Sequence, residues 1–289
     1  MPAAEKPDPS DAPLDTIRSK LRALARLRAR PCLALIGPIE RAVVPPLLCA
    51  VGDHQAGDID LVIASPGGDI EAAYVIVRTL RRRFRITAAF IPLMAKSAAT
   101  FLALSADELV VGELGELGPL DPQTGNSSAL EPFRAVDQVA DGVAQTLKRT
   151  RGALSKDRRA AGSSEAADVT GAVVRSLFSP MDPLRLAESS RLLEETEAFA
   201  ERLFRRYRAE LLPNGILETV SRLVHGYPCH GFPIDLEELL ELGIPARAAE
   251  DGEVPILAAI TTALIHAGDD VRLLELSNYR ARRRREVAT

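Results

Sequence analysis

Residues 58–114 alternate short apolar runs with turns rich in glycine, proline and serine, in the order strand, turn, helix, strand, turn, helix, strand. Links this short between strands and helices leave one economical arrangement, a parallel sheet with right-handed helical crossovers. The first junction reads Ser65-Pro-Gly-Gly68 and the second Met94-Ala-Lys-Ser97. In a parallel sheet both fall at the carboxyl ends of their strands, where open α/β sheets bind ligands. A bare backbone turn beside a hydroxyl at a helix start brings together what acyl transfer needs: N–H donors for a developing oxyanion, and a nucleophile.

The strand readings follow from pattern. Cys32–Ile36, Ile59–Ala64, Arg85–Leu93 and Glu108–Val111 are apolar on both faces, as strands covered by helices on either side must be. Ile70, Ala73, Val77 and Leu80 recur at helical spacing, and Arg81-Arg-Arg83 places cations against the negative end of that helix. Ser97–Ser105 reads as an apolar helix, Phe133–Thr150 as a helix carrying Lys148, and Asp182–Leu212 as a long amphipathic one. Residues 153–170 read as a loop or a marginal helix, and the last 35 residues as one or two further helices. Asp235 is placed to cap a helix ending at Leu242-Gly243.

Composition narrows the function. Apolar residues make up 46% of the 289, enough for a sizeable core, but aromatics only 4% with no Trp, so aliphatic residues must build it. Net charge is −4, which gives no electrostatic case for nucleic acid. The basic run Arg280-Ala-Arg-Arg-Arg-Arg285 reads as a solvated end. The three cysteines, Cys32, Cys49 and Cys229, form no CxxC pair; a reducing, cytoplasmic setting without disulfides or a zinc site is the expectation. No run is long and apolar enough to span a membrane, and the Pro- and Ala-rich start lacks a signal-peptide core. No metal site and no cofactor is expected; the diglycine turn is not the GxGxxG of a dinucleotide site.

Each motif has a bland explanation. Diglycine turns are common before helices, and a serine at a helix start is most often its cap. The same position favours an anion through the helix dipole, so a cap can double as a nucleophile, with the Ala98 amide pointing into the same space. A methyl on Gly68 is expected to hurt chemistry more than folding.

Ser65-Pro-Gly-Gly-Asp-Ile-Glu-Ala-Ala73, Ala95-Lys-Ser-Ala-Ala-Thr100 and Gly112-Glu-Leu-Gly-Glu-Leu-Gly-Pro-Leu-Asp-Pro-Gln123 together resemble the serine dehydrogenase proteinase family of the Clp-peptidase/crotonase superfamily, related to signal peptide peptidase A. Cys229-His-Gly231 and Leu242-Gly-Ile244 match more weakly. The resemblance implies an α/β fold, a Clp/crotonase-like spiral of ββα units with a helical C-terminal extension. It divides the chain into a disordered tail (1–14), a serine protease domain (15–250) and C-terminal helices with a basic tail (251–289). It implies Ser97 as nucleophile, an oxyanion hole from the amides of Gly68 and Ala98, support from Gly67, a peptide or protein substrate, and a homo-oligomer.

The base is less legible. Clp peptidases carry a His soon after the fourth strand; here that stretch is Gly118-Pro-Leu-Asp121-Pro, without one. Signal peptide peptidases use a Lys from a later helix, the place of Lys148. His230, 13 residues before Gly243, lies near where Clp peptidases place their acidic member. Lys96 adjoins the serine, but neighbouring side chains diverge. Asp121 is a candidate to orient His230. Two other readings stand beside the hydrolase: a catalytically silent oligomeric scaffold, and a crotonase-like acyl-CoA enzyme that needs no serine.

Overall fold

The computed structural model describes residues 12–52, 54, 57–125, 127–154, 171, 175, 182–208, 215–268 and 271–277. Residues 1–11 of the expected tail (1–14), 155–170 of the expected loop or marginal helix (153–170) and the basic run 280–285 lie outside the described residues, while residues 12–14 open one helix and 153–154 end another. In chain order the elements are α1 (Ala12–Leu27), β1 (Cys32–Ile36), α2 (Val44–Gly52), β2 (Gly57–Ala64), α3 (Ile70–Arg81), β3 (Phe84–Ile91), β4 (Met94–Ala95), α4 (Ala98–Ala103), β5 (Glu108–Val111), β6 (Glu116–Leu117), β7 (Gln123–Thr124), β8 (Ser127–Ser128), α5 (Glu131–Leu154), α6 (Pro183–Tyr207), α7 (Ile216–His225), α8 (Leu236–Glu241), β9 (Ala246–Ala248), α9 (Val254–Ala267) and β10 (Leu273–Ser277). They form two compact units, residues 1–120 with 196–289, and residues 121–195.

The first unit holds a six-stranded sheet in the order β10-β1-β2-β3-β5-β9. All its pairings are parallel except that of β10 with β1. Alternation along the strands divides the core. Cys32, Ala34, Ile36, Val62, Ala64, Ala88, Phe90 and Val110 pack with α1 and α9 in one continuous cluster. The intervening residues Leu33, Leu61, Ile63, Ala89 and Leu109 are equally buried and face the other way, to the side that α3 and α4 cover. In α1 the buried Ile17, Leu21 and Leu24 recur at helical spacing. Truncating one of them, as in Leu21→Ala, should cost about 2–5 kcal/mol.

The parallel-rich α/β class and the four sequence-predicted strands are observed. Two things differ from expectation. The last residues hold a helix and a strand, because β10 closes the free edge of β1 and satisfies its backbone groups. Two of the three arginines ending α3 also bond other elements. Arg81 donates to the Ser105 carbonyl and to Asp107, and Arg83 to the carbonyls of Val51 and Gly52 at the end of α2.

A smaller layer sits over the carboxyl ends of the strands. Each long strand leaves the sheet, adds a short extended stretch and then turns: β3 runs into β4 and α4, β5 into β6. β4 pairs with β6 in parallel, Ala95 bridges Ser65, and Leu117 bridges Ile234. The succession β3, β4, α4 is one unit of long strand, short strand and helix.

In the second unit, β7 and β8 form a short hairpin closed by an N–H of Ala129 on the Pro122 carbonyl, followed by α5.

Candidate active site

The two junctions singled out in the sequence meet through backbone hydrogen bonds. The Ser65 N–H donates to the Met94 carbonyl at 2.9 Å, and the Lys96 N–H to the Ser65 carbonyl at 3.0 Å. The diglycine turn therefore lies against the Lys96–Ala98 corner. A Cβ placed on Gly67 would fall 2.6 Å from the Lys96 carbonyl oxygen and 2.9 Å from Ser97 Cβ. Only glycine permits that approach.

The turn is fixed from both sides. Its Ser65 hydroxyl, fully buried, accepts from the Gly67 N–H at 3.0 Å. Ile39 donates its N–H to the Gly67 carbonyl and accepts at its own carbonyl from the Asp69 N–H, each at 2.8 Å. Asp69 then caps α3, its carboxylate accepting from the N–H groups of Glu71 and Ala72. Both bonds to Ile39 bypass Gly68, and among the described residues no acceptor takes the Gly68 N–H. Gly68 has φ of +138°, and a Cβ there would sit 2.2 Å from the Ile39 carbonyl oxygen. The expectation that Gly68→Ala hurts chemistry more than folding is thereby corrected: the methyl collides with backbone first.

Ser97 occupies the cap position of α4 but does not cap it. Its hydroxyl makes no capping bond, and its backbone sits at φ 51°, ψ −120°. It and Ala29 are the described non-glycine residues with positive φ. Backbone strain of this kind costs about 1–3 kcal/mol and persists only where the surroundings over-determine it. The Ala98 N–H, first in the helix, has no acceptor among the described residues, as expected of a first-turn amide. Two unpaired amides, from Gly68 and Ala98, thus flank a half-buried serine whose hydroxyl has no hydrogen-bond partner among the described residues.

The remaining sequence candidates fall as follows. Lys96 is occupied: its ammonium donates to the Leu117 carbonyl at 3.0 Å and pairs with Glu116 at 2.6 Å. His230 lies half-buried between α7 and α8. Four residues on, Ile234 exchanges both backbone bonds with Leu117, at 2.9 and 3.0 Å. Leu117 in turn neighbours Ala95, so at one strand spacing per step the backbone at 234 runs about 10 Å from Ala95. Lys148, exposed on α5, and Asp121, buried, belong to the second unit. Among the described residues no trio of His, Cys, Asp or Glu could hold a metal ion.

Two residues that sequence reasoning passed over hold this corner together: Ile39, which anchors the diglycine turn, and Thr100, whose buried hydroxyl touches three backbone groups. A polar residue on the inward face of an otherwise apolar helix was the signal for Thr100. Ile39 left none.

Over residues 49–148 the chain matches the family of ClpP-like SDH-type serine proteinases, a stretch that includes Ser65–Ala73 and Ala95–Thr100. It is 40% identical over 80 residues to the uncharacterized protein MJ0137 of Methanocaldococcus jannaschii, a match covering 28% of each chain. It is 37% identical over 87 residues to MJ1495 of the same organism, covering 29% of this chain and 30% of that one. The matched segment is therefore less than a third of either relative's length. Among solved structures, a mutant of the 1510-N membrane-bound stomatin-specific protease aligns over 75% of this chain and 78% of its own, at 13% identity and a TM-score of 0.42. No helix of the described residues is long and apolar enough to cross a membrane.

Proposed function

We propose that this protein is a serine peptidase-like hydrolase that attacks an amide carbonyl with Ser97. The observation that carries the reading is the conformation of Ser97: a non-glycine residue at φ 51°, ψ −120° on a strand-to-helix corner, its hydroxyl spared from capping. A sharp strained corner of this kind lifts a nucleophile clear of its helix. The match to ClpP-like serine proteinases over 49–148 supports it.

In this mechanism a base takes the Ser97 proton as Oγ bonds to the carbonyl carbon. The tetrahedral oxyanion then accepts from the amides of Gly68 and Ala98, each donor contributing on the order of 10²–10³ in rate. Collapse breaks the C–N bond, and the leaving amine takes the proton from the base. Water, deprotonated by the same base, releases the acyl group. We assign the base to His230, because an imidazole is the side chain that most often takes a proton in general base catalysis, with Asp121 to orient it; Lys148 stands second. A peptide or protein substrate, a homo-oligomer and a cytoplasmic setting complete the proposal.

The scaffold reading draws on one observation: Lys96, the cation beside Ser97 in the chain, is engaged elsewhere, its ammonium on the Leu117 carbonyl and on Glu116. A fluorophosphonate probe decides between them. The hydrolase labels in the wild type, fails to label in Ser97→Ala, and slows at least tenfold in His230→Gln. If Lys148→Met slows it instead, the base assignment moves; a wild type inert from pH 6 to 9 leaves the scaffold.

A further inference from the structure

We propose that Thr100 is a positioning residue that holds Ser97 in its strained backbone conformation. The inference rests on the reading of Ser97 as a nucleophile, but it concerns how the corner is built and stands on separate observations.

Thr100 lies three residues after Ser97 in the first turn of α4 and is fully buried. Its hydroxyl oxygen is 2.6 Å from the Ala95 carbonyl oxygen and 2.8 Å from that of Gly118, and it accepts from the Gly118 N–H at 3.1 Å. A hydroxyl has one proton to give, so it donates to one of the two carbonyls while accepting from Gly118. Ala95 precedes Ser97 by two residues. The hydroxyl therefore ties the helix leaving the corner to the strand entering it, directly when it donates to Ala95, or through Gly118, whose N–H also reaches the Ala95 carbonyl at 3.2 Å, with Ser97 in the span between.

The third partner ties that staple to the next unit. Gly118 follows β6, whose Leu117 pairs with Ala95. Its N–H also reaches the Ala95 carbonyl at 3.2 Å. A side chain at 118 has no room: a Cβ there would fall 2.6 Å from Lys96 Cδ. Lys96, pinned by Glu116 and the Leu117 carbonyl, holds the residue just before Ser97 from the same side. Among the described residues, Thr100 is the one whose side chain on the helix side bonds the backbone on the strand side of the corner.

A buried threonine that only satisfies its neighbours would show none of this leverage. Without the hydroxyl, the side-chain restraint across the corner is gone and only backbone bonds such as Ala99 N–H to the Lys96 carbonyl at 2.9 Å span it, so a residue at φ 51° has room to relax toward negative φ. Relaxation swings Ser97 Oγ and the Ala98 N–H together. Misplacement of a reacting group by about 1 Å costs on the order of 100-fold in rate.

The test compares Thr100→Val, which keeps the shape and removes the hydroxyl, with Thr100→Ser, which keeps the hydroxyl. Crystal structures of both report the Ser97 backbone, and the rate of fluorophosphonate labelling reports its reactivity. Expected are a Ser97 φ that turns negative in Thr100→Val with labelling slowed about 10- to 100-fold, and restoration of both in Thr100→Ser. A Thr100→Val protein that keeps Ser97 at positive φ, or that labels at the wild-type rate, overturns the proposal. If the wild type does not label at all, the hydrolase reading falls, while the Ser97 φ of the two variants still decides the role of Thr100. Should Thr100→Val fail to fold, Thr100→Ala against Thr100→Ser supplies the same contrast, and a variant lacking the hydroxyl that keeps Ser97 at positive φ refutes the proposal equally.

Discussion

Gly67 and Ser97 are built for each other: a carbon added to Gly67 would lie 2.9 Å from Ser97 Cβ, closer than side chains pack. One residue supplies the empty space that the other needs at the corner. The contact joins two loops separated by some thirty positions in the sequence, and it fixes what substitutions there should do.

Ser97→Ala and Ser97→Gly should separate strain from chemistry. Both remove the nucleophile, a loss on the order of 10⁴–10⁶ in rate. Alanine keeps the strained φ of 51°, whereas glycine adopts it freely, at an entropic cost of about 0.5–1 kcal/mol. With strain worth about 1–3 kcal/mol, the glycine variant should be the more stable of the two by roughly 1 kcal/mol in urea unfolding. A glycine variant less stable than the alanine one by about 0.5–1 kcal/mol, the entropic cost alone, would mean that the corner is unstrained.

Gly67→Ala and Gly68→Ala should both lose stability, by roughly 1–3 kcal/mol as for other overpacked sites. Gly68→Ala should be the worse, because its added carbon meets the Ile39 carbonyl oxygen at 2.2 Å while the Gly67 carbon meets Lys96 oxygen at 2.6 Å. Thermal melts of the two variants test the order; a Gly68→Ala protein as stable as wild type contradicts the geometry.

Acid should weaken the fold through Glu253. This buried carboxylate receives two guanidinium contacts from Arg247, at 2.7 and 3.1 Å, one from Arg28 at 3.4 Å, and the Glu250 N–H at 3.0 Å. Burial alone would raise its pKa; the bonds from Arg247 and Glu250 and the charges of Arg247 and Arg28 outweigh it and hold the carboxyl below its ordinary 4.5. The unfolded chain then binds the proton first, so this stabilisation is complete above pH 4.5 and is lost as pH falls through the depressed folded value. Glu253→Gln should cost about 3 kcal/mol at pH 7, the lower end for breaking a buried pair, and the gap to wild type should narrow by pH 3. A gap that does not change with pH would point to lost packing instead.

Thiol titration should distinguish the cysteines. Cys32 is buried in β1, and burial together with the charge of Asp60 pushes its thiol well above the usual range, while Cys49 and Cys229 are exposed. A disulfide reagent should modify Cys49 and Cys229 promptly in the native protein and Cys32 only on unfolding. Prompt reaction of all three would contradict the burial of β1.

Strands buried on both faces, the 3.6-residue recurrence of Ile70, Ala73, Val77 and Leu80, and the cap at Asp235 are local properties, and each was legible along the chain. So was the pairing of a diglycine turn with a serine at the second junction. The sequence could not show that Ser97 declines to cap α4, because a cap and a strained corner use the same residue at the same position. Backbone bonds from Ser65 to Met94 and Lys96, and the staple through Thr100, decide between them. Nor could periodicity find β10, which is a strand because the edge of β1 needs a partner. Side-chain pattern determined which segments were helix and strand and which two loops could carry chemistry. Contacts between residues far apart in the chain decided how those loops face each other, because a residue's φ and the freedom of its N–H depend on neighbours that the sequence does not place beside it.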